Sequence, residues 1–166
     1  MKAKISDLTG PTCVEMAQLV MPEHTNTLGG LFGGMLMSWI DISAAIAAQK
    51  HARRVCVTAS MDQVHFLRPV RLGFVVYLKA QITMVKTTSC EVRVTATGEN
   101  PRTGDRFEVA RAFLTFVAVD DKGAPVAMPP FKAKTAEAKR METEAMERRA
   151  ERLAWRARAR KTPTAR

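Results

Sequence analysis

A chain of 166 residues, 46% of them hydrophobic, can bury a core but is short for two full domains. No apolar run approaches the roughly 20 residues of a membrane-spanning helix, and Met1-Lys2-Ala3-Lys4-Ile5-Ser6-Asp7 lacks the apolar core of a secretory signal, so the expected location is the cytoplasm. The formal charge of +10 suggests a polyanionic partner until it is divided: from Lys132 onward 12 Lys/Arg face 5 Glu, 12 − 5 = +7, leaving 10 − 7 = +3 for everything before.

The first predicted element is a strand over 12–21, where the apolar-rich Cys13-Val14-Glu15-Met16-Ala17-Gln18-Leu19-Val20-Met21 is stopped by Pro22. A polar, glycine-rich loop follows, Thr25-Asn26-Thr27-Leu28-Gly29-Gly30-Leu31-Phe32-Gly33-Gly34. It opens a helix over 31–48 whose alanine content and lack of a polar face predict burial on most sides. In its middle stands Asp41, and a carboxylate on an apolar element must be paired, hydrogen-bonded or neutralised, because stranding it costs several kcal/mol.

Four strand-like runs, 55–66, 74–85, 89–99 and 107–120, come next, rich in β-branched residues or alternating as in Glu91-Val92-Arg93-Val94-Thr95-Ala96-Thr97. Lys86-Thr87-Thr88 and the turn-dense segment 98–105 are short connections, which predicts an α+β fold: an antiparallel meander curled around one long helix. After Met128-Pro129-Pro130 the composition changes. The stretch 135–161 has no Gly or Pro and is packed with Ala, Glu, Arg and Met, predicting a solvated, charge-laced helix. Met141, Ala145, Leu153 and Trp155 are its candidates for contact with the domain or a second subunit. The division expected is therefore a domain over 1–131 and a basic helical extension over 132–166.

Cys13, Cys56 and Cys90 have neither metal-ligand spacing nor the even count of a disulfide framework, and read as small buried hydrophobes. His65 reads as a packed or interface histidine within a strand, and His51 as a partner of the helix C-terminal dipole. His24 stands in the polar loop without a motif to support it.

Over residues 21–129 the chain resembles the hotdog-fold acyl-CoA thioesterases, specifically the short broad-range bacterial acyl-CoA hydrolases. The residues that carry this are Met21-Pro22, the loop 25–34, Trp39-Ile40-Asp41, Val64-His65-Phe66-Leu67-Arg68-Pro69-Val70, Gly73, Lys86-Thr87-Thr88-Ser89 and Phe116-Val117-Ala118-Val119-Asp120. The resemblance implies hydrolysis of acyl-CoA to free acid and coenzyme A without metal or redox cofactor. It also implies a homodimer at least, often a trimer of dimers, with Asn26 of one subunit meeting Asp41 of the other. Asp41 would be general base or nucleophile, Asn26 would position water or substrate, and amides at Gly33 and Gly34 would face the thioester oxygen. Phe66, Arg68, Pro69, Lys86, Thr87, Thr88 and Ser89 would lie along coenzyme A, with Met35, Trp39, Met61 and Phe66 setting acyl-chain length. The tail lies outside the resemblance, so cutting after Lys134 would leave turnover within about threefold.

Each of these residues also has a structural reading. Asp41 can be satisfied by Ser38 or a backbone amide, Asn26 can be a turn residue, Gly33-Gly34 can serve close packing, 86–89 can be only a hairpin turn, and Arg68-Pro69 only a strand end. Among enzymes the rival is an acyl-CoA hydratase, whose pattern usually places an Asp/His pair around the central helix; this helix has no suitable histidine. From another class the rival is a non-catalytic acyl-CoA sensor whose basic tail docks on nucleic acid or a membrane, although no nucleic-acid module is recognisable and the tail has no aromatic beyond Trp155.

Overall fold

The computed structural model describes residues 12–161. In chain order its elements are β1 (Cys13–Leu19), a 3-10 turn (Pro22–His24), α1 (Gly33–Ala52), β2 (Cys56–Phe66), β3 (Val75–Val85), β4 (Ser89–Glu99), β5 (Arg106–Ala118) and α2 (Ala136–Lys161). Every predicted element is present.

The five strands form one antiparallel sheet in the order β1-β3-β4-β5-β2. Only β3, β4 and β5 make the expected meander; β2 crosses to the far edge beside β5. Residues 67–74 make this crossing possible. They bridge three strand spacings, roughly 14 Å, a gap that a two-residue hairpin cannot close.

One face of the sheet carries Val76, Leu78, Ala80 and Ile82 of β3, Val92, Val94 and Ala96 of β4, and Ala112, Leu114 and Phe116 of β5, all buried in one core with Leu36, Ile40, Ala44, Ala47 and Ala48 of α1. The alternation along each strand produces this face, and the alanines let the helix lie close upon it. Side chains the size of Ile40, Leu78 or Phe116 each contribute about 1.5–3 kcal/mol by leaving water.

Two expectations need correction. The first is that α1 is buried on most sides. Within one chain Met37, Ile42 and Ile46 are exposed, as are Val55 and Val57 at the start of β2. The helix buries one side against the sheet and leaves an apolar flank open beside a sheet edge.

The second concerns the C-terminal helix, which is docked rather than solvated. Thr135 caps it, its hydroxyl oxygen accepting from the Ala138 amide at 3.1 Å. Ala138, Met141 and Ala145 are buried. They lie over the sheet face opposite α1, the face to which Thr83, Glu91 and Phe113 point. Glu91, which alternation places on the polar side of β4, is wholly buried under α2. Both its oxygens are held by Arg148, at 2.7 and 3.2 Å, and Oε1 also accepts from the Thr83 hydroxyl at 2.7 Å. The Arg148 guanidinium lies 3.8 Å from the centre of the Phe113 ring. Leu153 and Trp155 are exposed within this chain. Among the described residues no helix is long and apolar enough to cross a membrane.

Candidate active site

The chain enters α1 through a turn built by Asn26. Its side-chain oxygen accepts from the amides of Leu28 and Gly30 at 2.9 and 3.2 Å, and its main chain exchanges bonds with Gly29 and Gly30. The turn reading of Asn26 therefore holds, with a chemical consequence. With Oδ1 occupied by two donors, the carboxamide has only its N–H groups to offer. They find no acceptor among the described residues, so Asn26 can donate to a ligand oxygen.

Phe32 is the N-cap of α1, and no side chain among the described residues makes a capping hydrogen bond there. The Gly33 and Gly34 amides, in the first helical turn, make no hydrogen bond with the described residues, leaving donors and positive potential at the surface. The packing reading of Gly34 also holds: a Cβ there would lie 2.4 Å from a Phe32 ring carbon. Beside this helix start is a groove of about 360 Å³ lined by Leu31, Gly33, Leu36, Phe66, Leu67, Arg68, Pro69, Val70 and Val109. Gly33, Phe66, Arg68 and Pro69 thus line one groove. Leu31, Leu67 and Val70, which lie within the quoted motifs, and Leu36 and Val109, which carry no sequence signal beyond their hydrophobicity, complete the apolar lining.

Asp41 lies elsewhere. It stands seven residues beyond Gly34 on α1, 41 − 34 = 7, about 10 Å along the axis. Neither Ser38 nor a backbone amide satisfies it. Its Oδ1 accepts from the Thr58 hydroxyl at 2.8 Å, and Oδ2 has no hydrogen-bond partner among the described residues. Thr58 went unnoticed in the sequence because the contact spans 17 positions between a helix and a strand, and a threonine in a strand is unremarkable.

The 86–89 turn lies at the Cys56 end of the sheet. Lys86 N–H bonds Ser89 O at 2.7 Å, Thr88 O accepts from Ala118 and Thr87 O accepts from Met128, while Ala118 pairs with Cys56. The main chain of the turn is committed. The side chains of Lys86, Thr87, Thr88 and Ser89 make no hydrogen bond with the described residues.

The named residues therefore fall into two groups at opposite ends of β2. Near Phe66 are Asn26, Gly33, Gly34, Arg68 and Pro69. Near Cys56 are Asp41, Thr58 and the turn 86–89. Thr58 and Phe66 are eight residues apart on an extended strand, roughly 26 Å. A carbonyl under attack needs its base and its oxyanion donors each within about 3 Å, so neither end alone is a complete site.

The profile of the thioesterase superfamily matches residues 28–104. The chain is 45% identical over 133 residues to an uncharacterised acyl-CoA thioester hydrolase of Bacillus subtilis, YkhA, covering 80% of this chain and 77% of that relative. It belongs to the thioesterase superfamily. Among solved structures, an acyl-CoA hydrolase of Staphylococcus aureus in complex with butyryl coenzyme A, coenzyme A and coenzyme A disulfide has a TM-score of 0.83 at 34% identity, over 90% of this chain and 91% of that one. A hexameric acyl-CoA thioesterase has a TM-score of 0.84 at 38% identity, over 88% and 94%. The fold is thus the hotdog of this superfamily. Coverage of 90% cannot be reached by residues 1–131 alone, since 131/166 is 79%. These superfamily structures therefore share part of the C-terminal extension, which the sequence resemblance left out. The S. aureus hydrolase has also been solved with one aspartate, one asparagine or one threonine replaced by alanine, the asparagine variant in complex with coenzyme A.

The remaining candidates have structural partners. His51 is wholly buried; its Nε2–H donates to Pro129 O at 3.0 Å, its Nδ1 accepts from Thr12 Oγ1 at 3.4 Å, and its ring meets Phe131 edge-on. It ties three segments together instead of serving the helix dipole. His24 Nδ1 accepts from the Met21 amide at 3.1 Å, and its ring stands at 5.1 Å from that of buried Trp39. His65 is exposed on β2. Of the four side chains expected to set chain length, only Phe66 lines the groove at the helix start. Trp39 is buried, and Met35 and Met61 pack against the core.

Burial pushes the Cys56 thiol up from 9.0 to about 11. It pushes Cys90 to about 12, with Cys56 and Glu91 adding to the rise and a hydrogen bond from the Phe116 backbone opposing it. Neither is a nucleophile at neutral pH. A raised folded-state value means that the stability these thiols contribute is complete below about pH 9 and is lost as pH rises through 11 to 12. In native protein at pH 8 a disulfide reagent should therefore titrate only Cys13, which is partly exposed, and all three cysteines after denaturation. Rapid titration of Cys56 or Cys90 without denaturant would contradict this burial.

Proposed function

We propose that this protein hydrolyses acyl-CoA thioesters in a site shared by two subunits, with Asp41 taking the proton from water or itself attacking the carbonyl carbon. What carries the reading is the separation of the two half-sites along β2, together with the open edge of that strand. An unpaired strand edge flanked by exposed Met37, Ile42, Ile46, Val55 and Val57 calls for cover. If two copies pair antiparallel along β2, the Cys56 end of one meets the Phe66 end of the other. Asp41 and Thr58 of one protomer then face Asn26, Gly33 and Gly34 of its partner.

The chemistry follows from the donors. Thr58 orients the carboxylate through Oδ1 and leaves Oδ2 for the proton or for attack. The Gly33 and Gly34 amides and the Asn26 N–H groups stabilise the oxyanion, each donor on the order of 10²–10³ in rate. Arg68 and the hydroxyls and ammonium of 86–89 face the phosphates and amides of coenzyme A. A water, a carboxylate and a donor array suffice, so the reaction needs no metal or redox cofactor. In the S. aureus hydrolase the replaced asparagine, aspartate and threonine stand 15 and 17 residues apart. Asn26, Asp41 and Thr58 have the same spacing, 41 − 26 = 15 and 58 − 41 = 17, which supports the assignment. The hexameric thioesterase supports a dimer that assembles further.

The rival reading, a regulatory acyl-CoA binder with a free basic arm, is weakened by α2 itself. Arg148, Arg152 and Arg156 are engaged with Glu91, Asp62 and the Ala59 carbonyl. Purified protein should release coenzyme A from an acyl-CoA panel, and no turnover across chain lengths would overturn the reading. Asn26→Ala and Asp41→Ala proteins, each inactive alone, should together regain about a quarter of wild-type activity after subunit exchange, because half the dimers are mixed and each mixed dimer keeps one intact site. Verified exchange without recovery would contradict the shared site.

A further inference from the structure

The arginines of α2 converge on irregular points of β2. Pairing with β5 slips twice, between Thr58 and Ser60 and between Met61 and Gln63, so Ala59 and Asp62 have no counterpart across the ladder. Each is held from the outer face by α2. Arg152 pairs with the Asp62 carboxylate, both side chains at least 85% buried, and Arg156 donates to the Ala59 carbonyl at 3.2 Å. Between the bulges only Ser60 and Met61 pair across the ladder, and Ser60 Oγ and Thr115 Oγ1, which face one another there, are buried without a hydrogen-bond partner among the described residues.

Thr58 immediately precedes the first bulge, and its hydroxyl is the group that holds Asp41. A bulge re-aims the side chains beside it, and where it is pinned determines where they point.

We propose that α2 is a positioning element for the reaction: Arg156 and Arg152 hold the two bulges of β2 in the register that aims Thr58 at Asp41. The inference rests on the reading of Asp41 as the reacting carboxylate. It gives the outer-face helix a role at a site on the other side of the sheet, without contact with substrate. A displacement of about 1 Å at a reacting group can cost 10²-fold in rate, so a bulge loosened by a fraction of that should cost about tenfold.

The test uses full-length Arg156→Ala, Arg156→Lys, Arg152→Lys and Thr58→Val proteins. Backbone hydrogen exchange over 56–62 should accelerate in Arg156→Ala and Arg152→Lys while β3 and β4 amides stay unchanged. With butyryl-CoA, Arg156→Ala should lower kcat about tenfold with KM within about twofold, and Arg156→Lys, which can still reach the carbonyl, should recover most of it. Arg156→Ala combined with Thr58→Val should be no slower than Thr58→Val alone, since both changes break the same link. Unchanged exchange overturns the proposal, as does faster exchange with wild-type kcat, or losses that multiply in the double variant. A wild-type protein that hydrolyses no acyl-CoA, with the exchange effect intact, overturns the reading of the site and with it the catalytic purpose of α2.

Discussion

Asp41→Asn should lower kcat toward acyl-CoA by about a hundredfold or more, by the usual size of acid-base and covalent contributions, with the fold intact. The substitution keeps the shape and keeps an oxygen to accept from Thr58. It removes the charge and the basicity on which activation of water, or attack on the carbonyl, depends. Asp41 is partly exposed and its one hydrogen-bond partner among the described residues is a neutral hydroxyl, so no buried cation is stranded there and thermal stability should change little. Near-normal turnover by a folded variant would remove Asp41 from the mechanism and leave the neighbouring donors as packing.

The second large effect concerns stability. Arg148→Ala should cost about 3–5 kcal/mol in equilibrium unfolding, because Glu91 is wholly buried and, among the described residues, its carboxylate would keep only the Thr83 hydroxyl. Combining Arg148→Met with Glu91→Leu should recover most of the loss, since an apolar, well-packed pair leaves no charge or amide unpaired in the interior and the Thr83 hydroxyl can still donate to the backbone carbonyl of residue 91. Cutting the chain after Lys134 does the same damage and more: Met141 and Ala145 leave the face they cover, and Arg152 and Arg156 leave β2. A fall in both stability and turnover is therefore expected in place of the near-neutral truncation that composition suggests. Urea unfolding curves decide it. A cost below about 1 kcal/mol for Arg148→Ala would show that Glu91 is solvated and that α2 is peripheral.

The reason the tail misled is physical. Composition measures how many charges a segment carries, and 135–161 is dense in them. Whether those charges face water depends on what lies beneath. Glu91 sits in an alternating strand, where the outward face is ordinarily solvated, and nothing local marks it as buried. Its burial arises because α2, 57 positions away at Arg148, lies across that face. A buried acid and an arginine at that distance each read as a surface residue on their own.

The elements themselves were legible: apolar periodicity and turn chemistry located the helix, the strands and the 98–105 turn, because these depend on neighbours within a few residues. So were Asp41 and the glycines at the helix start, which are chemically conspicuous on their own; Phe66, Arg68, Pro69 and 86–89 entered through the family resemblance. Strand order was not, because the eight residues 67–74 permit either a hairpin or a crossing. Nor was Thr58, whose role exists only where a helix and a strand meet. The pairing of Asn26 with Asp41 across subunits was implied by the family resemblance, whereas the distribution of the shortlist between two ends of β2, on which the proposed shared site rests, belongs to the tertiary structure. Spacing along a chain states which residue types are available, whereas a reaction needs them within about 3 Å of one atom, and only the packing of α1, β2 and the open edge determines which of them can meet.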